Sequence, residues 1–207
     1  MSTVRVDFSC TEGVIKPMHS VNNGPVGSGM HTALGNFEAY RAAKIPYART
    51  HDTAFYAEYG GEYTVDIHRV FRNFDADEND PASYEFVFTD AFIKGMYDHN
   101  IKPIFRLGVT IENQFAMKAL RTHPPKDFAK WARICEHIIM HYTEGWADGF
   151  HYDIAYWEIW NEPDCRNQDG SNPCWQGTEE EFIDLYCIAA KHLKNRFPHL
   201  KIGGPAF

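Results

Sequence analysis

Residues 154–164, IAYWEIWNEPD, decide the fold. The first seven are almost all apolar, which is typical of a strand buried on both faces, as in parallel sheets. Pro163 has no backbone N–H and cannot continue a sheet ladder, so the strand must end before it. Asn161 and Glu162 are therefore predicted at the carboxyl end of this strand, which is where parallel α/β folds place their chemistry.

Outward from this strand, the apolar pattern alternates between short strand-like and longer helix-like runs. Strands are predicted at 4–8, 13–21, 45–50, 101–107, 154–160 and 200–203. Helices are predicted at 32–43, 89–100, from 128 onward, and from a Thr178/Glu181 capping box to residue 197. The helix after Pro124-Pro125 has the clearest apolar stripe: Phe128, Trp131, Cys135, Ile138, Ile139 and Tyr142. Residues 51–87 lack a period and are predicted to form an elaborate loop.

The strand–helix rhythm predicts βαβ units with parallel strands. Five core strands and four helices are about half of a (β/α)8 barrel, which needs roughly 250 residues. A doubly wound sheet is the alternative, but the first turn, VNNGPVGSG (21–29), does not match GxGxxG. We expect one domain over 1–207, with 1–12 as an N-terminal strand and 13–207 as barrel units.

Composition excludes several classes of protein. With 44% apolar residues among 207, the chain can bury a core, and its net charge of −8 with no Lys/Arg run makes nucleic acid a poor partner. No apolar run reaches 18 residues, so we expect no membrane span. Without a signal-like N-terminus, a cytoplasmic location is predicted. No cofactor is expected.

Glu162 is the leading catalytic candidate. A carboxyl group beside Trp160 and other aromatics would be partly desolvated, which raises a carboxyl pKa toward the value a general acid needs. Asn161 offers a donor and an acceptor for a sugar hydroxyl. The alternative is that Glu162 only caps the next turn.

The segment 157–164 resembles the acid/base strand of retaining glycoside hydrolases with (β/α)8 barrels, in which Asn-Glu ends strand 4. More closely, the chain resembles the N-terminal half of glycoside hydrolase family 39, which includes β-xylosidases and α-L-iduronidases. The resemblance also rests on Arg49-Thr50-His51, on 124–131 and on 197–206. It implies a truncated barrel of about strands 1–5 and helices 1–4.

By this resemblance, Glu162 is the acid/base, Asn161 binds the hydroxyl next to the anomeric carbon, and His51 lines the sugar pocket. The family's nucleophile, a Glu ending strand 7, has no counterpart here, so the isolated chain is expected to be inactive. A non-catalytic carbohydrate-binding or scaffold protein is the alternative. Self-association through open barrel edges is a further expectation.

Other residues carry weaker predictions. Asn22 and Asn23 suit either sugar contact or turn chemistry. Arg49, Arg106 and Glu158 are expected to form Arg–Glu pairs inside the barrel, in preference to direct substrate contact. Substrate-binding roles are also assigned to Asp52, Tyr56 and Trp175, whereas Trp157 is assigned to the core.

Metal and disulfide chemistry have little support in the sequence. Asp66, His68, His51 and Asp52 have no recognised metal-ligand spacing, and no metal is expected. Cys165 and Cys174 flank a Gly/Asn/Asp-rich loop, and whether they form a disulfide depends on the compartment.

Overall fold

The computed structural model describes residues 2–27, 35–50, 65–109 and 122–206. Its centre is a five-stranded sheet in the order β1-β2-β3-β4-β5, and every neighbouring pair is parallel. The strands are β1 (Val21–Asn22), β2 (Tyr47–Arg49), β3 (Lys102–Leu107), β4 (Tyr156–Ile159) and β5 (Lys201–Gly203).

Helices connect these strands. They are α1 (Phe37–Ala42), α2 (Ile67–Val70), α3 (Val87–Asp98), α4 (Phe128–Thr143) and α5 (Glu179–Arg196), with a 3₁₀ turn at Pro81–Ser83. Parallel strands that follow one another in sheet order, joined by helices, are what a (β/α)8 barrel requires. A doubly wound sheet would instead reverse its strand order at a switch point. The predicted α/β class and partial barrel are confirmed.

The two long outer helices form for reasons visible in the sequence. Asp127 caps α4 by accepting a hydrogen bond from the Lys130 backbone N–H, at 2.9 Å. The predicted capping box opens α5: Thr178 Oγ1 accepts from the Glu181 N–H, and Glu181 returns a bond to the Thr178 N–H. Of the predicted α4 stripe, all but the half-buried Phe128 are fully buried.

The sheet has an apolar face and a polar face, because side chains alternate along each strand. The face under the helices carries fully buried side chains, with the rings of Phe105 and Trp157 stacked at 4.9 Å. The other face, which corresponds to the barrel interior, carries Arg49 on β2 and Glu158 on β4. The fold therefore brings charged side chains to the inner face, near the carboxyl edge.

Three predicted elements are wrong. Residues 4–8 do not form a strand: Val4, Val6 and Phe8 are 63–93% exposed, because no described neighbour pairs with this segment. The predicted strand 13–21 is also wrong over most of its length: residues 13–20 are exposed and lie in no strand, so the first strand is the two-residue β1. The division of the chain at residue 12 stays a prediction. The region 51–87 is more ordered than predicted, since its described part, 65–87, contains α2 and the 3₁₀ turn.

In the described part of the chain, no helix combines the length and the apolar character that a membrane crossing needs.

Candidate active site

Arg49 joins three strand ends at the carboxyl edge of the sheet. Its Nε and Nη2 donate to the two carboxylate oxygens of Glu158, at 2.5 and 2.8 Å. Nη1 donates to Oδ1 of Asn22, at 3.0 Å, and Nη2 also donates to Oδ1 of Asn161, at 2.5 Å. The predicted Arg–Glu pairing is thus present between β2 and β4, and a single guanidinium group fixes β1, β2 and the end of β4 together.

The contact with Arg49 also fixes the orientation of the Asn161 amide. Guanidinium groups only donate hydrogen bonds, so the Asn161 oxygen must face Arg49 and its NH2 group must face away. Asn161 is 2% exposed, and its Nδ2 has no hydrogen-bond partner among the described residues. A buried amide donor without a partner is costly and calls for an explanation. A ligand hydroxyl group would supply the missing acceptor.

The backbone at the end of β4 is unusual on both sides of Asn161. Trp160 has φ of 68° and Glu162 has φ of 42°, both in the left-handed region that residues other than glycine rarely adopt. Such conformations cost energy and cluster at functional sites. Packing maintains this one, because the buried Trp160 ring lies against Trp131 and Trp175 and its Nε1 donates to the Cys174 carbonyl at 2.9 Å.

Glu162 lies at the carboxyl edge, as predicted, but its surroundings differ from the prediction. The expected desolvation by Trp160 is wrong: the Trp160 ring turns into the core, and the Glu162 side chain is exposed. The Glu162 backbone N–H donates to the Ala206 carbonyl at 3.0 Å. That contact ties the residue to the segment that follows β5.

A cleft of about 300 Å³ follows the inner face of β3, β4 and β5, with Glu158, Gly204 and Ala206 in its lining. Gly204 has φ of 95°, and a Cβ atom there would lie 2.6 Å from the Glu158 Cγ. Only glycine lets the chain pass this close to Glu158. The sequence signal for this role was the Gly-Gly-Pro run at 203–205, which the family resemblance included without a structural reason.

Arg106 is a correction to the predicted Arg–Glu pairing. Although Arg106 is in register with Glu158, its Nη2 donates to Asp66 at 2.9 Å and its Nη1 donates to the Val109 carbonyl at 2.6 Å. Asp66 reaches it because the start of α2 lies across the end of β3, where the Ile67 N–H donates to the Gly108 carbonyl. The sequence indicated no role for Asp66 other than that of a metal-ligand candidate.

The two asparagines after β1 have different roles. Asn22 belongs to the Arg49 network through its side chain. Asn23 has φ of 61°, and its carbonyl accepts a hydrogen bond from the Tyr40 hydroxyl. Asn23 therefore has the predicted turn role, whereas the Asn22 side chain is held by its hydrogen bond with Arg49.

Trp175 does not have the exposed ring that its predicted substrate-binding role requires. Its ring is 1% exposed, packs edge-on against Trp160 and Phe182, and donates through Nε1 to the Thr178 carbonyl. Trp175 therefore lies in the core. Trp157 was predicted to lie in the core, and it does. The buried Trp175 supports the loop behind Glu162.

Three predicted substrate-binding residues, His51, Asp52 and Tyr56, lie outside the described residues. The pairing of Cys165 and Cys174 in an oxidising compartment stays a prediction, and their sulfurs lie within 4.8 Å of each other. Cys174 is buried and Cys165 is half-buried, and both lie close to Glu162. Asn172, which no sequence motif indicated, connects the two sides of this loop: its Nδ2 donates to the Pro163 carbonyl and its Oδ1 accepts from the Cys174 N–H.

Parallel strands in consecutive order, with Asn161 and Glu162 at the carboxyl end of β4, are typical of (β/α) barrels, the class of protein that carries its active site at that edge. Within this class, the chain belongs to glycosyl hydrolases family 39, whose family model matches residues 14–207. The predicted resemblance is confirmed.

Two curated relatives are β-xylosidases. That of Geobacillus stearothermophilus is 28% identical over 152 residues, which are 66% of this chain and 27% of that protein. That of Caldicellulosiruptor saccharolyticus is 28% identical over 160 residues, 73% of this chain and 30% of that protein. The chain thus spans less than a third of the length of either enzyme.

Solved structures show the same fold. A glucosidase from Croceicoccus marinus matches with a TM-score of 0.67 and 24% identity, over 90% of this chain and 36% of that one. A GH39 enzyme from Xanthomonas axonopodis pv. citri matches with a TM-score of 0.58 and 19% identity, over 90% of this chain and 34% of that one.

Proposed function

We propose that this chain supplies the acid/base half of the active site of a retaining glycosidase that acts on β-xyloside-like substrates. Family membership and the two β-xylosidase relatives support the reaction class. The observation that carries the assignment of residues is the Asn161 amide: Arg49 fixes its oxygen, and its unpartnered Nδ2 is left directly before Glu162 at the carboxyl edge.

In the proposed mechanism, Glu162 donates its proton to the leaving-group oxygen while a carboxylate nucleophile attacks the anomeric carbon. The glycosidic C–O bond breaks, and a covalent glycosyl–enzyme forms. Glu162, now ionised, takes a proton from water, whose oxygen displaces the nucleophile and restores both carboxyl groups. Asn161 Nδ2–H donates to the hydroxyl next to the anomeric carbon, and Arg49 maintains the orientation of that amide.

The nucleophile in this proposal is a carboxylate outside the 207 residues. Retaining enzymes need their two carboxyl groups roughly 5–5.5 Å apart. Glu158 also lies at this edge, but both of its carboxylate oxygens accept hydrogen bonds from Arg49, so it is unsuited to attack the anomeric carbon. The isolated chain is therefore expected to bind sugar without turning it over.

The test of the mechanism uses the complete protein of which this chain forms part. Glu162→Gln should lower turnover of xylo-oligosaccharides by about 10²–10⁴-fold, because their poor leaving groups need a proton. Aryl xylosides with good leaving groups should retain much faster first-step chemistry, visible as a burst of phenolate. Asp164→Asn is the matched control, since Asp164 is an exposed acid two residues further along, and its turnover should stay near the parent value.

Equal activity of Glu162→Gln and the parent on xylo-oligosaccharides would show that Glu162 is not the acid/base. A second experiment addresses the non-catalytic alternative. The 207-residue chain is titrated with xylo-oligosaccharides while product is followed in the same tubes. Binding by the chain, together with no product from the complete protein either, would favour a carbohydrate-binding protein over an enzyme.

A further inference from the structure

Three side chains with metal-binding atoms meet behind the end of β4. Glu162 supplies a carboxylate oxygen, Cys165 and Cys174 supply sulfurs, and the three atoms lie within 4.8 Å of one another. The cysteines come from the two ends of the loop that follows Glu162. Their sequence spacing matches no familiar zinc motif, which is why the sequence predicted no metal here.

The chemistry of the three donors suits a soft or borderline divalent cation. Zn²⁺ and its heavier analogue Cd²⁺ favour thiolate sulfur and also accept a carboxylate oxygen, whereas Mg²⁺ and Ca²⁺ favour oxygen alone. Tetrahedral zinc with Zn–S bonds of about 2.3 Å places its sulfur ligands roughly 3.8 Å apart. The observed upper limit of 4.8 Å therefore requires a movement of about 1 Å at most, which a rotation of the exposed Glu162 or the half-buried Cys165 can supply.

The backbone already holds these donors together without a metal. Asn172 donates through Nδ2 to the Pro163 carbonyl, at 2.6 Å, and accepts through Oδ1 from the Cys174 N–H, at 2.9 Å. Trp160 Nε1 donates to the Cys174 carbonyl at 2.9 Å. Both ends of the site are thus attached to each other and to the end of β4, so little conformational entropy remains to be lost on binding.

We propose that Glu162, Cys165 and Cys174 form a binding site for Zn²⁺ or a similar thiophilic divalent cation, with a fourth position open to water. The buried sulfur of Cys174 closes one side and the exposed carboxylate of Glu162 leaves the other side accessible. The site does not depend on the glycosidase proposal. If Glu162 is also the acid/base, the two roles exclude each other, and the cation inhibits cleavage by occupying the proton donor.

Cd²⁺ is the probe, because cadmium–thiolate bonds absorb in the near ultraviolet. The parent for the titration carries Cys10→Ser and Cys187→Ser, which remove the two exposed thiols and leave the cluster unchanged. It is kept reduced with a phosphine, and a thiol count confirms that three thiols remain. One equivalent of Cd²⁺ should produce the absorption band, and Zn²⁺ should displace Cd²⁺ and abolish it.

Four variants locate the site. Cys165→Ser should weaken Cd²⁺ binding by at least about 100-fold, as should Cys174→Ser. Glu162→Gln should weaken it by about tenfold while retaining the sulfur absorption. Asn172→Ala removes no ligand but frees the loop, and should weaken binding by about 10–100-fold, the usual effect of a lost supporting contact. Asp164→Asn, next to the cluster and outside it, should leave the affinity unchanged.

Two results would overturn the proposal: no absorption band from the parent with its thiols counted as reduced, or a band of equal affinity in Cys165→Ser. Circular dichroism shows whether the buried Cys174→Ser variant folds. Cys165→Ser keeps the test decisive if it does not, because Cys165 is only half-buried. Since the readout is absorption and not turnover, failure of the metal site is distinguishable from failure of the glycosidase assignment.

Discussion

Arg49 and Arg106 occupy neighbouring strands and pair with carboxylates, yet their surroundings differ. The Arg106 side chain and its partner Asp66 are 0% and 1% exposed, whereas the Arg49 and Glu158 side chains are 15% and 11% exposed. Arg106 holds α2 against the end of β3. Arg49 holds three strand ends and a buried amide whose second donor group is unsatisfied.

Under the proposed function, this difference separates a pair that stabilises the fold from a pair that orients a ligand-binding amide. The Arg106 pair is enclosed by protein, although the Arg106 Nε also lacks a hydrogen-bond partner among the described residues, so loss of the pair should affect the free energy of unfolding. The Arg49 pair leaves a donor available on Asn161, so its loss should affect ligand binding more than stability.

The largest expected effect is that of Arg106→Met. It breaks the buried ion pair between Arg106 and Asp66, which typically costs about 3–5 kcal/mol of unfolding free energy. Urea denaturation of the chain measures the loss. The double variant Arg106→Met/Asp66→Asn should recover part of it. A loss within about 1 kcal/mol of the parent would contradict the structural role.

Arg49→Met should cost less stability, about 2 kcal/mol, because its pair is partly exposed and water can replace some of the lost bonds. Its effect on sugar affinity should be larger in proportion, since Asn161 loses the contact that orients it. Calorimetric titration with xylo-oligosaccharide compares the two effects. Arg41→Met is the control: Arg41 pairs with Glu38 on the exposed face of α1, and both properties should stay near the parent values.

Glu78 provides a third pair, remote from the sheet edge. Burial alone would raise the pKa of its carboxyl group, but hydrogen bonds from Arg133 and Lys130 outweigh burial and lower the pKa from 4.5 to about 2. A lowered folded-state pKa stabilises the fold above pH 4.5, and that contribution disappears as the pH falls toward 2.

Glu78→Gln should therefore lose on the order of 2 kcal/mol at pH 7 and progressively less as the pH falls from 4.5 toward 2. Urea denaturation at several pH values measures this dependence. If parent and variant differ by the same amount at pH 7 and pH 2.5, the charged pair is not the source of the stability.

Thr178→Ala should have the smallest effect, about 1 kcal/mol, because it removes one half of the α5 capping box and no buried charge. Salt should leave this loss nearly unchanged, in contrast to the Glu78 pairs. Thermal unfolding at low and high ionic strength compares the two. Strong salt sensitivity of the Thr178→Ala loss would mean that the Glu179–Glu181 charges, not the cap, dominate that helix end.

The sequence was informative where a local pattern and the packed structure demand the same residues. The α4 stripe, the α5 capping box and the halt of β4 before Pro163 each follow from short-range rules, and each is present. Residues 4–8 also alternate, but alternation forms a strand only when a neighbour pairs with it, and no described residue does.

The details of the site depend on contacts between residues far apart in the chain. Whether Glu158 pairs with Arg49 or Arg106 depends on where α2 places Asp66, about 90 positions earlier in the sequence. The orientation of Trp160, and with it the exposure of Glu162, depends on Trp131 and Trp175. Neither contact is encoded in the WNEP segment itself, so the motif predicts the position of Glu162 but not its surroundings.

The bond from Arg49 to Glu158 passes over β3, and in a flat sheet β2 and β4 would lie about 9–10 Å apart. The guanidinium group thus connects the first and last of three strands across the concave side of a curved sheet. If the sheet were flatter, the guanidinium group would move away from Glu158, and the amide of Asn161 would turn with it. In a closed barrel, the curvature of the sheet would therefore determine the orientation of the Asn161 amide.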